Sequence, residues 1–242
     1  MGAVSDGFVP ITVEVKDPEK LREKERAHEA LTDAVRELLD ATIRTRIDVA
    51  DIDAMTAEVR QVSERLLAKA YDGPVGLKVS SDGRLRDPGN PAVGRRNAFA
   101  PPLRIERDKE AKRVSCQFNL GAAYEGPPRH VHGGVLALVL DQVLGSVPPL
   151  AKRPGMTASL DMSYRRPSPL QTDLTAEAWL ERVEGWKTYV RGHILDADGR
   201  VTVEATGLFI VPQFAREALS QPMSDAADYD PNEDAPSIDE TD

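Results

Sequence analysis

The chain has 242 residues, 40% of them hydrophobic and 29% charged, with a formal net charge of −9 at pH 7, enough for one substantial core and an extension beside it. Eight acidic residues fall after Pro222 with no Lys or Arg among them, which leaves the remainder close to neutral and argues against a nucleic-acid binder, since that role needs a basic surface. The single cysteine, Cys116, excludes an internal disulfide, and the first twenty residues carry no basic leader ahead of an apolar run; a cytoplasmic protein is expected.

Residues 1–16 read as an N-terminal arm in which Ile11, Val13 and Val15 alternate like an edge strand or an extended segment. Asp17 followed by Pro18 is a helix-start signal. Leu31, Val35, Leu38 and Leu39 then form one apolar stripe, and Ile52, Met55, Val59, Val62 and Leu66 form another. The spacing predicts helices over about 18–46 and 51–70, a helical extension covering 17–70. Acidic and basic residues alternate along it without a basic face, so it reads as packed on the main domain or on a second subunit. His28, set among charges, is expected in solvent. Residues 71–102 are rich in Gly, Pro, Asn and Asp and read as a linking loop. Within it, Arg95 and Arg96 are either a solvated pair or a contact for an anionic ligand.

From 103 to 212 strand signals accumulate. Residues 103–107 and 113–120 flank the charged turn DKEAK as a hairpin, with Val114, Cys116 and Phe118 alternating against Ser115, Gln117 and Asn119. The loop GAAYEGPPRHVHGG leads into HVHGGVLALVLDQVLGSV, where apolar residues from Val135 to Val147 occupy nearly every position, as in a helix buried all round. Its most apolar part is too short to span a bilayer and is interrupted by Asp141. Alternating runs at 157–166, 172–184, 186–196 and 201–211 follow, the third and fourth joined across Asp198-Gly199, a strong hairpin signal. One hairpin, one helix and a meander imply an α+β chain in which a curved antiparallel sheet wraps a central helix. The acidic tail, 213–242, has little to bury and is expected to be disordered.

An ionised carboxylate such as Asp141 inside an apolar helix needs a reason, either a packing ion pair or chemistry. His130 and His132, two apart, could ligate a metal, but no third ligand stands near them; no metal or other cofactor is expected. A Ser-His-Asp hydrolase would need a nucleophile elbow, and none is present. The helix start is the better candidate: the backbone N–H groups at Gly133 could stabilise an oxyanion while Asp141 acts as base or nucleophile. Eight residues of helix put roughly 12 Å between the two. Both cannot serve one carbonyl carbon, so the site requires a two-fold dimer with antiparallel helices.

HVHGGVLALVLDQVLG resembles the HGG-type hotdog-fold thioesterases, a group that includes phenylacetate-pathway and acyl-CoA thioesterases. GNPAVGRRNAFAPPL, YEGPPRHVHGG, Asp141 and SYRRPSPL carry the resemblance over roughly residues 89–212; residues 1–85 lie outside it. It implies a hotdog homodimer, or a dimer of dimers, that hydrolyses acyl-CoA. By position, Gly133 matches the oxyanion donor, Asp141 the acidic catalytic residue, and His132 the histidine that orients the carbonyl. Thr157, sixteen residues after Asp141, matches a threonine that assists the aspartate in one branch. Gly134, Arg165 and Arg166 fall where relatives meet substrate. Each has an ordinary alternative: loop hydrogen bonding for His132, strand propensity for Thr157, surface charge for the arginines. Two other functions compete, a non-catalytic acyl-CoA-binding hotdog protein and a hotdog dehydratase. An Asp nine residues after His132 does not fit the dehydratase arrangement.

Overall fold

The computed structural model describes residues 12–14, 17–73, 75, 76, 78–80, 85–213, 215 and 216. The acidic tail and most of the N-terminal arm lie outside them. Helix α1 spans Pro18–Arg44, and its start follows from Asp17, whose Oδ1 accepts from Glu19 N–H at 3.0 Å, with Pro18 in the first turn. Helix α2 spans Val49–Leu67. Strands β1 (Thr12–Glu14), β2 (Lys78–Ser80) and β3 (Leu85–Arg86), the first before the helices and the other two after them, form a small sheet, β1 parallel to β2 and β2 antiparallel to β3. The segment read as a plain loop thus contains two strands. Its second half is also tightly folded: the Asn90 side chain accepts from Ala92 and Val93 N–H at 2.8 and 3.1 Å.

The main sheet has six strands: β4 (Glu106–Asp108), β5 (Arg113–Phe118), β6 (Met156–Tyr164), β7 (Leu174–Glu184), β8 (Lys187–Leu195) and β9 (Val201–Ile210). Their order is β4-β5-β7-β8-β9-β6 and every pairing is antiparallel. Alternation decides the faces. On β8, Thr188, Val190 and Ile194 are fully buried while Lys187 and Arg191 are exposed, the period-2 signature of a sheet wet on one side. Helix α3, Gly133–Gly145, lies on the buried face. It approaches closely because two strands carry no side chain beneath it: a Cβ at Gly192 would fall 2.8 Å from Leu144 Cδ1, and one at Gly207 3.1 Å from Leu144 Cδ2. This is the α+β hotdog arrangement, a curved sheet around one central helix.

Two expectations about α3 need correction. With the 3-10 turn Pro148–Ala151 it makes a continuous 19-residue stretch, Gly133–Ala151, long and apolar enough to cross a membrane. Here the sheet covers much of it, as for a core helix. Nor is it buried all round. Leu136, Val139, Leu140, Val143 and Leu144 face the sheet, whereas Gly134, Ala137, Leu138, Asp141, Gln142 and Gly145 form a stripe that is half-exposed or exposed.

Helix α1 docks on the main body along a narrow line. Only Leu21 and Thr32 are buried. Glu25 pairs with Arg86, Glu29 with Arg95 at 2.5 Å, and Arg36 reaches Ala100 O at 3.4 Å. His28 is half-buried in this seam rather than solvated, because the helix lays it against the segment holding Arg96. Burial, then the positive charges of Arg96 and Lys24, hold its pKa below the ordinary 6.5.

Candidate active site

The loop before α3 is fixed from several sides. Gly126 N–H donates to His130 O at 2.9 Å, Val131 N–H to Ser168 O at 2.9 Å, and His132 N–H to Tyr124 O at 2.9 Å. Gly126 permits this fold-back, since a Cβ there would lie 2.6 Å from His132 Cα. The result places His132 at the helix N-cap, where its Nδ1 accepts from Gly134 N–H at 3.0 Å. Nδ1 is then the bare nitrogen of the neutral ring and Nε2 carries the proton, free to donate outward. Val135 and Leu136 N–H turn back to His132 O at 2.9 and 3.2 Å. Among the described residues no acceptor takes the Gly133 N–H, so it stands at the positive end of the helix with its hydrogen-bonding capacity unspent.

Asp141 lies eight residues along, on the half-exposed stripe, and accepts a hydrogen bond from Thr157 Oγ1 at 2.8 Å. Thr157 stands near the start of β6, an edge strand that runs antiparallel to α3. At the other end of the same strand Tyr164 donates from its hydroxyl to Gly133 O at 2.9 Å, and a Cβ at Gly133 would meet its ring at 3.4 Å. Strict alternation would put residues 157 and 164 on opposite faces. A bulge between Thr157 and Ser159, where one extra residue interrupts the pairing with β9, brings both to α3. Strand alternation in the sequence alone therefore does not bring Tyr164 to this site.

Gly133, Gly134, His132, Asp141 and Thr157 all lie along α3 and its β6 edge. Arg165 and Arg166 do not reach them; they turn away at the end of β6, Arg165 pairing with Glu204 at 2.8 Å and Arg166 donating to Val201 O at 2.9 Å. His130 Nδ1 lies 2.9 Å from Pro128 O. His193 sits on the outer sheet face, with Nε2 3.2 Å from Glu177 and its ring edge-on to Trp179. Among the described residues no group of three or more His, Cys, Asp or Glu is placed to hold a metal ion. Cys116 is buried in the core, and that burial pushes its thiol up to about 12, far from a nucleophile's range.

A carboxylate held by a hydroxyl, a free N–H at a helix N-terminus and a hotdog sheet are parts of an acyl-transfer site. The thioesterase superfamily model matches residues 129–203, which contain the carboxylate, the hydroxyl that holds it and the helix N-terminus. A crystal structure of a thioesterase superfamily protein is 36% identical, with a TM-score of 0.67, over 76% of this chain and 94% of that one. The chain belongs to the thioesterase superfamily. Residues 103–212 alone could not supply that coverage, so the likeness extends into the N-terminal part, beyond the range over which the motifs carry a resemblance. Among curated relatives, acyl-coenzyme A thioesterase THEM4 of Bos taurus is 35% identical over 107 residues, 44% of each chain. Acyl-coenzyme A thioesterase THEM5 of Homo sapiens is 28% identical over 109 residues, again 44% of each. The chain therefore spans less than half the length of the curated relatives it matches.

Proposed function

We propose that the protein hydrolyses acyl-CoA thioesters as a homodimer whose active sites are each built from two chains. The observation that carries this reading is the Asp141–Thr157 pair at 2.8 Å on the half-exposed face of α3, with the unspent Gly133 N–H on the same helix, too distant to act on the same carbonyl. A second helix running the other way supplies what is missing.

The open edge of β6 offers the way to bring it there. Nine residues long, free of Pro and Lys and exposed over much of its length, β6 has few of the usual defences of an edge strand, only Asp161 and the bulge beside Thr157 at its start. Since β6 runs antiparallel to α3, pairing it with a second β6 about a two-fold axis sets the two α3 helices antiparallel. Gly133 of one chain then faces the partner's Asp141.

In the site so formed, the thioester carbonyl accepts from Gly133 N–H, with the helix dipole favouring the developing oxyanion and His132 Nε2–H as a second donor. The partner's Asp141 removes a proton from water or attacks the carbonyl itself. Thr157, whose hydroxyl proton is committed to Asp141, offers its oxygen lone pairs to position the water. The CoA thiolate leaves without strong acid help because thiols are already fairly acidic, with a pKa of about 8.5. A reducing, cytoplasmic setting suits the single unpaired cysteine.

A panel of acyl-CoAs of graded chain length, read by a thiol-trapping dye, tests the activity. CoA release from at least one member is expected. Tight binding of acyl-CoA with release from none would replace the enzyme with a binding protein.

A further inference from the structure

Twelve of the seventeen exposed large apolar side chains among the described residues fall between Val35 and Leu67, on the second half of α1, the short connection and α2. On α2 they are not scattered. Ile52, Met55, Val59, Val62 and Leu66 follow one another at intervals of three, four, three and four residues, the 3.5-residue repeat of a coiled-coil seam. Each is 41 to 51% exposed, and no residue of α2 is buried. A 19-residue helix with no buried residue is marginal in water, so this one needs a partner for its seam.

We infer that α2 is a self-association arm, its seam packing antiparallel against α2 of a second copy of this chain. The flanking charges select both occupant and direction. With Ile52, Val59 and Leu66 in one seam position and Met55 and Val62 in the other, Asp51, Glu58 and Arg65 share one flank and Thr56 and Ser63 the other. A parallel pair would set Glu58 beside Ser63, leaving its charge unmatched. An antiparallel pair that layers Val59 on the partner's Val62, and Met55 on the partner's Leu66, sets Glu58 beside the partner's Arg65 twice. It also sets Thr56 beside the partner's Ser63, with no like charges opposed. The helix is thus complementary to itself. A lipid surface is a poor occupant, because the polar face carries Asp53, Glu58 and Glu64 against Arg60 and Arg65 and has no basic excess. The arm is distinct from the β6 edge and does not depend on the catalytic reading.

Single cysteines placed on the flank of the full-length chain test the arrangement. Glu58→Cys and Arg65→Cys chains, co-expressed with different tags and exposed to a mild oxidant, are expected to yield a disulfide-linked dimer carrying both tags. Either variant expressed alone should give little cross-linking, since the same residue of two chains is not opposed. Adding Val59→Asp and Val62→Asp to both chains should abolish the product, while circular dichroism shows the sheet intact. Absence of the mixed product would overturn the proposal, whether a different protein, a lipid or another part of the chain covers the seam. Efficient cross-linking of Glu58→Cys with itself would overturn the alignment and with it the charge argument.

Discussion

Replacing Asp141 with Asn removes the charge and the proton acceptor while leaving almost everything else in place. The Asn side-chain oxygen can still accept from Thr157 Oγ1, now at 2.8 Å from Asp141, and the position is only half-buried, so no large packing term is lost. Loss of a general base typically lowers turnover about 10²-fold to 10⁴-fold, or roughly 3 to 5 kcal/mol on the activation barrier. Stability should shift by no more than about 0.5 kcal/mol, as for most changes away from the core. Steady-state CoA release, with acyl-CoA binding by calorimetry and a thermal melt on the same preparation, separates these quantities. Turnover within a few-fold of the parent, with the melt unchanged, would refute the assignment of Asp141 as base or nucleophile.

Other consequences are accessible to the same preparations. Thr157→Ala should lower kcat roughly five- to tenfold, the worth of one hydrogen bond of about 1 kcal/mol, and Thr157→Ser should restore most of it; equal activity in both variants would count against a positioning hydroxyl. Gly126→Ala would drive a Cβ to 2.6 Å from His132 Cα, costing about 1 to 3 kcal/mol by overpacking and lowering both Tm and kcat. Because the folded state holds His28 below 6.5, the undocked chain takes up the proton first. Docking of α1 is therefore strongest above pH 6.5 and weakens as pH falls through the lower folded value. Hydrogen exchange of α1 at pH 7.5 and 5.5 should show the loss, and His28→Gln should remove the difference. Cys116, with its thiol pushed up to about 12 by burial, should resist alkylation until the chain unfolds; labelling at native pH would contradict its placement.

The parts of this molecule legible from sequence are those with a local physical signature. The alternation of Val114, Cys116 and Phe118 marks β5, Asp198-Gly199 marks the turn between β8 and β9, and Asp17-Pro18 marks the start of α1, each observed where the pattern puts it. Gly133 and Asp141 stand out in the sequence because a Gly pair and a carboxylate are anomalous in an apolar helix, whereas His132 and Thr157 are assigned to the site only by the family resemblance. What escaped depends on pairing between distant segments. The bulge between Thr157 and Ser159 exists only against β9, and without it Tyr164 would be assigned to the wrong face. His28 looks solvated among the charges of its own helix, and its burial comes from a segment almost seventy residues away. The half-exposed stripe on α3 was hidden for a related reason: Ala137, Leu138 and Gly145 are apolar or small like their buried neighbours, so composition cannot tell the sheet-facing side from the half-exposed one.

The central claim is that each site takes its oxyanion donor from one chain and its carboxylate from another, and complementation tests it most directly. Gly133→Pro deletes the N–H with little cost to the helix, since Gly133 is the first residue of α3, His132 before it already has extended backbone that tolerates a following proline, and a Cβ there meets the Tyr164 ring only at contact distance, 3.4 Å. Chains carrying Gly133→Pro and chains carrying Asp141→Asn should each be inactive as pure dimers. Co-assembled at random in equal amounts, half the dimers are mixed and each holds one intact site of two, giving about a quarter of parental activity. Mixed assemblies no more active than the pure variants would contradict the shared site.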